Sequence, residues 1–391
     1  MTVLGEYEVR SAARRGERFV YVALGTIISP SARDAAALLG VELRAGSPPT
    51  PAVAGTDHAR TISRTLLRRS PRWVPIVPRR GAEPKRFARL VIIGAGDVGA
   101  TTAHQAALRA LADEIDLIDI VPGRADAVAL DLEHASGITR STTRCRGATS
   151  MNAVDGADVI VVAAGRPRTP GMSRAALAEV NGRVMRDVGT AIAAHAPTAV
   201  SVVVTNPVDE MTHALWRAAE VPDDRVIGMA GTLDSSRFRR EIALAAGVTT
   251  ADVDAMMLGS HGDEMVPIVS TATIKGRAVV DVLNAGQIGE CVRRTIAGGA
   301  RVVELRRIGS AYLAPAHAVI EVLDALRGAQ ASSVPVSARV HGEYGIRDVF
   351  VGVPAQLSVG GVSGIVEIAL SDAELDALRA AAEAIRSRCG V

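Results

Sequence analysis

The chain has 391 residues, 44 lysines and arginines against 42 aspartates and glutamates, and a formal charge of +2. That length accommodates two or three domains and a large core, while so small a net charge excludes the basic surface of a nucleic-acid binder. Aromatic residues make up only 3%, so aliphatic packing has to supply most of the core of a soluble α/β protein. Cys145, Cys291 and Cys389 are far apart, with no CxxC or His/Cys ligand spacing. A disulfide framework and a metal site are therefore not expected, and a reducing cytoplasm is. No apolar run is long enough to span a membrane. The first residues lack the order of a signal peptide, and Glu6, Glu8 and Glu17 among the early arginines argue against a transit segment.

Residues 1–45 read as a small accessory module. It contains a helix through EVRSAARR, a strand at FVYVALGTI and a helix in SARDAAALLG, the last capped by Ser29 (with Pro30 at the first helical position) or by Ser31. Residues 46–86, with SPPTPAVAG and RRSPRWVPIVPRRGAEPK, read as a Pro/Arg-rich linker, since so many prolines disfavour a packed element. From residue 87 strands alternate with helices: LVIIGAG, the helix GATTAHQAALRAL, then EIDLIDI, ADVIVVAAG and AVSVVVTNP. Continuous apolar strands separated by helices predict a parallel sheet covered on both faces, a Rossmann domain over residues 87–230. Beyond it, strands at RAVVDV, FVGVPAQL and GIVEIAL and a terminal helix in DAELDALRAAAEAIRSR predict an α+β substrate domain over residues 231–391.

The segment Gly94-Ala95-Gly96-Asp97-Val98-Gly99 leaves a strand and enters a helix. Gly94 permits the tight turn, Gly96 lets the backbone approach a pyrophosphate, and Gly99 allows close packing of helix on strand. The phosphates would sit at the helix N-terminus, with the Asp97 carboxylate turned away. Asp119, at about the expected 20-residue interval, would bond the adenosine ribose hydroxyls and repel a 2′-phosphate, which favours NAD over NADP.

His261, in GSHGDEMVP, suits a proton acceptor and donor because its pKa lies near working pH. A lone histidine is more commonly structural. Asp234, in GTLDSSRF, changes that balance, since a carboxylate on one ring nitrogen fixes the tautomer and stabilises imidazolium. Arg237, three residues on, shares a helix face with Asp234 and can grip a carboxylate through two parallel hydrogen bonds. Arg168 and Arg174 lie in GRPRTPGMSR, whose Thr169-Pro170-Gly171 reads as a loop leading into the helix of AALAEVNGRV. Asn206, in VTNPVDE, ends a buried strand at the carboxyl edge of the sheet, where such folds bind ligands; Val204 and Thr205 offer backbone contacts beside it. An acid/base imidazole, its carboxylate and three guanidiniums beside a dinucleotide turn describe hydride exchange between a nicotinamide and a small hydroxy-dicarboxylic acid.

Those motifs, together with GMAGTLDSSRFR and HGEYGIRDVFVGVPAQL, resemble the lactate/malate dehydrogenase family over about residues 88–391, and within it the malate branch. The resemblance implies that His261 and Asp234 meet in space, and that the loop closes over substrate to bring Arg174 to the reacting oxygen. It also implies that Asn181 touches the cofactor, although a helix-surface asparagine reads equally well there. GSAYLAP at 309–315 resembles the small-residue wall beside the nicotinamide. At position 168 the family discriminates among 2-hydroxy acids, an arginine favouring a second carboxylate. An arginine facing the methyl of lactate would be desolvated without a partner, at a cost of several kcal/mol, on the order of that for a broken buried ion pair.

The expectation is thus a cytoplasmic NAD-dependent malate dehydrogenase, and by family habit a homodimer or homotetramer. Its substrates are malate and oxaloacetate, with no nucleic-acid or membrane partner. The alternatives are a lactate dehydrogenase on the same scaffold and a non-catalytic NAD-binding scaffold recruited through residues 1–86. GTIISPSARDAAALLGVEL resembles short segments on bacterial microcompartment-associated enzymes, so a microcompartment or other protein partner for this extension is considered beside a plain accessory role.

Overall fold

The computed structural model describes residues 3–4, 6–14, 18–22, 26–46, 84–167, 173–262, 264–329 and 333–390. The chain divides into two compact units, one within residues 1–68 and one within 69–391.

The first unit contains β1 (Val3–Leu4), α1 (Glu6–Arg14), β2 (Phe19–Val22), β3 (Ile27–Ile28), α2 (Pro30–Leu39) and β4 (Glu42–Ala45). Ser29 is the cap of α2, its hydroxyl accepting from the Ala32 amide at 3.2 Å, and Gly40 ends the helix in the left-handed region at φ 65°. Strands β1 and β3 pair in parallel, as do β2 and β4. FVYVALGTI is therefore not one strand: β2 and β3 belong to different two-stranded sheets. Val9, Ala32, Ala35, Ala36 and Val41 form a small core.

The second unit begins with β5 (Phe87–Ile93), α3 (Asp97–Leu108), β6 (Ala112–Ile118), α4 (Arg124–Thr139), β7 (Arg144–Ala148) and β8 (Val159–Val162). It continues through α5 (Arg174–His195), β9 (Val200–Val203), α6 (Val208–Ala219) and β10 (Val226–Gly228). These strands lie in the order β7-β6-β5-β8-β9-β10, all parallel. The apolar sequences VIVV and VSVV are fully buried, because helices cover both faces of the sheet. The strand order reverses between β5 and β8, and the crevice beyond their carboxyl ends is where a doubly wound fold binds its ligand.

The rest of the unit is α7 (Gly231–Ala246), β11 (Val253–Gly259), β12 (Met265–Ile274), β13 (Arg277–Ala278), α8 (Ala285–Arg306) and α9 (Leu313–Leu326), followed by β14 (Val334–His341), β15 (Arg347–Ser358), β16 (Gly361–Ile365) and α10 (Asp372–Cys389). These strands do not form a separate sheet. Ser337 of β14 pairs antiparallel with Gly228 of β10, so among the described residues one sheet of twelve strands runs through both halves of the unit.

Two predicted strands are shorter than the sequence suggested. RAVVDV keeps only β13; from Val279 the chain turns through one 3-10 helical turn (Val279–Asp281), which buries Val279 and leaves Val280 exposed. In GIVEIAL only Gly364 and Ile365 pair. The Ile368 amide instead donates to the Tyr344 hydroxyl at 3.0 Å, on the way to the Ser371 cap of α10. Among the described residues no helix is long and apolar enough to cross a membrane.

Candidate active site

At the glycine turn the residue choices are steric. Gly94 has φ +102°, and a Cβ there would lie 2.6 Å from the Ala164 amide nitrogen. A Cβ on Gly99 would lie 1.8 Å from the Gly94 carbonyl oxygen, so α3 and β5 touch backbone to backbone. Gly96 is different: nothing lies within 4 Å of its Cβ position, and no side chain caps α3, which starts there. The turn therefore offers an open cradle at an uncapped helix N-terminus, which fits a dinucleotide pyrophosphate. Asp97 is largely exposed and pairs with Arg306 at 3.0 Å. Val98 packs against the core, and the Ala95 amide donates to Asp119 Oδ2 at 2.9 Å. Asp119 Oδ1 accepts from the Val121 amide at 2.9 Å, and Arg124 lies 3.6 Å from Oδ2. Asp119 thus ties the strand-end loops of β5 and β6 together while keeping lone pairs for a ribose.

A cleft of about 500 Å³ is lined by residues of this turn, by Val204, Thr205 and Asn206, by Arg174 and His261, and by Gly309, Ser310 and Tyr312. The Thr205 hydroxyl donates to the Ala164 carbonyl at 2.7 Å, which secures the edge bearing Asn206. Asn181 is not the helix-surface residue that one of its sequence readings allowed. It is buried, its Oδ1 accepts from the Arg166 amide, and its Nδ2 donates to the carbonyls of Arg166 and Asn206. Both amide hydrogens are engaged inside the protein, so Asn181 braces the backbone of Asn206 at the edge of the cleft.

His261 stands just beyond β11, and its Nδ1 lies 2.7 Å from Asp234 Oδ2. Asp234 is in the first turn of α7 and is buried. Burial pulls the imidazole pKa down, but Asp234, through charge and hydrogen bond, and Asp209 more than offset it, so the net shift is upward. Nε2 is the nitrogen left for a substrate. Behind the ring, Asp209 accepts from the His261 amide at 2.8 Å and from the hydroxyls of Ser260 and Ser337 at 3.1 and 2.8 Å. Burial and the neighbouring Glu210 raise the Asp209 pKa, while the His261 amide and the Ser337 hydroxyl act against the rise.

The Arg237 guanidinium lies 3.3 Å from Asp234 Oδ1, so one carboxylate serves both His261 and Arg237. Gly298 and Gly299 of α8 leave room for this arginine; a Cβ on Gly298 would stand 3.3 Å from its Cδ. Arg174 opens α5 behind the cap Ser173, whose hydroxyl accepts from the Ala176 amide. It pairs with Glu210 at 3.2 Å. Arg168 lies outside the described residues, as do Thr169, Pro170 and Gly171. Of the predicted reaction residues, Asp234 thus touches both His261 and Arg237, while Arg174, Asn206 and His261 share the cleft.

Asp209, Glu210, Arg388 and Arg306 were not anticipated. The consecutive acids of NPVDE were a visible signal, since two carboxylates in one helical turn beside a site invite a role. Nothing near Arg388 in the sequence pointed to a partner 178 positions earlier.

Residues 88–228 match the family description "lactate/malate dehydrogenase, NAD binding domain" and residues 231–389 "lactate/malate dehydrogenase, alpha/beta C-terminal domain". The chain is 43% identical over 298 residues to a protein of Nostoc punctiforme named malate dehydrogenase, covering 76% of this chain and 91% of that one. It is 40% identical over 301 residues to the malate dehydrogenase of Chloroherpeton thalassium, covering 77% and 97%. Among solved structures, the malate dehydrogenase of Cryptosporidium parvum superposes with a TM-score of 0.75 at 33% identity, over 78% of this chain and 98% of that one. The lactate dehydrogenase of the same organism, solved with lactic acid and nicotinamide adenine dinucleotide, gives 0.75 at 31% over the same shares. With both of its domains matched, this chain belongs to the lactate/malate dehydrogenase family.

Proposed function

We propose that the chain interconverts malate and oxaloacetate with NAD as cofactor. The turn Gly94–Gly99 and Asp119 would hold the dinucleotide, and Asn206 would reach its nicotinamide end. The bound cofactor supplies a hydride acceptor or donor for the substrate carbon that carries the oxygen. His261 takes the hydroxyl proton at Nε2 during oxidation and returns it during reduction. Asp234 keeps Nδ1 protonated and stabilises the imidazolium. Arg174 stabilises charge growing on the substrate oxygen. Arg237 pairs with the C1 carboxylate and Arg168 with the distal one, the latter supported by the loop sequence GRPRTPGMSR and by relatives named malate dehydrogenase. The observation that carries the reading is the 2.7 Å contact of His261 with Asp234 beside the cleft that holds Arg174.

The test is NADH oxidation by purified protein with oxaloacetate and pyruvate side by side. Strong preference for oxaloacetate, abolished by His261→Asn, is the expected result. Preference for pyruvate would overturn the substrate assignment, and NADH binding without turnover would favour a scaffold. The proposal extends to a homodimer or homotetramer in the cytoplasm, in line with the buried free thiols of Cys145 and Cys291; sedimentation at several concentrations measures the assembly. A protein partner, a microcompartment shell among them, is proposed for residues 1–86, to be tested by co-localisation with and without that segment.

A further inference from the structure

We propose that Glu210 is a positioning residue that holds Arg174 in its working orientation, and that Arg388 of the C-terminal helix fixes Glu210 in turn. The proposal rests on the reading of Arg174 as the group that stabilises the substrate oxygen.

Glu210 stands in the first turn of α6, directly after Asp209, and its side chain is only 6% exposed. Its carboxylate is shared by two guanidiniums. Oε1 lies 3.2 Å from Arg174 Nε and 2.7 Å from Arg388 Nε, and Oε2 lies 3.4 Å from Arg174 Nη2. Arg388 spends its remaining nitrogens on Glu264 Oε1 at 2.8 Å and on the Ser260 hydroxyl at 2.9 Å. Burial disfavours the Arg388 charge, but Glu210 and Glu264 more than compensate and hold it positive. Arg174 and Arg388 balance Glu210 and Glu264, so the quartet is neutral, and its only member on the cleft is Arg174.

The side of Arg174 that Glu210 engages matters. The carboxylate takes the Nε and Nη2 edge, while Nη1 rests over Gly262, beside His261. A Cβ on Gly262 would stand 2.3 Å from Nη1. The orientation is thus set from two sides, by a carboxylate on one edge and a bare backbone under the opposite corner. A guanidinium carries five N–H donors, so holding one edge leaves others for a substrate oxygen. A donor already aimed before substrate arrives needs no reorganisation during the reaction. A staple serving stability alone would gain little from buried charge, since apolar groups of similar volume hold helices together at least as well.

The test is a double-mutant cycle on the full chain, read as kcat, KM and the Kd for NADH. Arg174→Lys comes first: an unchanged kcat would remove the reading of Arg174 on which the proposal rests. Given a loss there, Arg388→Met and Glu210→Gln should each lower kcat by about tenfold or more, in keeping with the rate cost of a misplaced catalytic group. The Kd for NADH should stay within about twofold of wild type, a small fraction of the tenfold change per 1.4 kcal/mol. In the Arg174→Lys background the same substitutions should have almost no further effect on kcat, because residues acting through one group are not additive. Arg388→Lys, which keeps the charge, should recover most of the activity. Should Arg388→Met not fold, Glu210→Gln and Gly262→Ala probe the same orientation from its two sides. Equal losses in both backgrounds, or no loss in the otherwise wild-type protein, would overturn the proposal.

Discussion

His261 Nδ1 lies 2.7 Å from Asp234 Oδ2, and the other oxygen of that carboxylate lies 3.3 Å from Arg237. The proposed acid/base imidazole and the proposed substrate-binding guanidinium therefore lean on one buried anion. Because the His261 pKa is raised above its ordinary value of 6.5, the imidazole stays protonated to higher pH than a free one. Oxidation of the hydroxy acid needs neutral imidazole, so its kcat/KM should fall on the acid side with a limb above pH 6.5. Reduction needs the imidazolium, and should hold up through that range and fall as pH rises past the same value. Asp234→Asn removes the largest contribution that raises the pKa and leaves burial, which lowers it. Its limb should move to lower pH, with kcat down by about 10²–10⁴-fold. An unmoved limb would show that another group titrates.

Arg168→Gln should lower kcat/KM for oxaloacetate by more than tenfold and raise it for pyruvate, so that the ratio of the two shifts by on the order of 10²-fold or more. Steady-state kinetics on both substrates measures this. A ratio that stays with oxaloacetate would assign the distal carboxylate to another group.

The two glycines of the cofactor turn separate binding from folding. Gly96→Ala meets nothing within 4 Å, so its Tm should match wild type while its Kd for NADH rises, because the new methyl enters the phosphate cradle. Gly99→Ala puts a methyl 1.8 Å from the Gly94 carbonyl, and should lose about 1–3 kcal/mol of stability along with NADH binding. Thermal melts paired with fluorescence titration distinguish the two; equal Tm losses would contradict the difference in local space.

A chain beginning at residue 84 should keep its turnover. Lys85 and Arg86 belong to the second unit, where the Lys85 amide donates to the Arg327 carbonyl and Arg86 to that of Ala112, and residues 1–68 belong to the other compact unit. Comparing kcat and Tm of the truncated and full chains checks this. A collapse of turnover would give the extension a structural role in catalysis.

Legibility in the sequence followed the range of the interaction. The turn from Gly94 to Gly99, the cap Ser29 and the helix pair Asp234 and Arg237 are local, and three or four neighbouring residues dictate them. The parallel strands were readable because burial on both faces leaves unbroken apolar runs such as VIVV. RAVVDV and GIVEIAL looked like strands on the same grounds, yet both are apolar segments whose partners run out after two residues, which no local pattern records. The burial of Asn181 was hidden for a similar reason: its partners, the backbones of Arg166 and Asn206, come from other elements. The quartet around Glu210 joins residues from four places along the chain, and no local pattern links Arg174 and Glu210 to Glu264 and Arg388.

The pairing of Gly228 with Ser337 has one more consequence. Asp234 and Arg237 are carried on α7, immediately beyond β10, and the cofactor turn leaves β5 of the same sheet. A Cβ on Gly228 would stand 2.5 Å from the Thr212 hydroxyl and 2.8 Å from the Ser337 Cβ, so this seam has no slack. The two substrate-facing halves are spliced like planks of one floor, and they cannot yawn apart as hinged jaws do around a ligand. A ligand that enters the cleft therefore meets one continuous floor of strands rather than the gap between two separate domains.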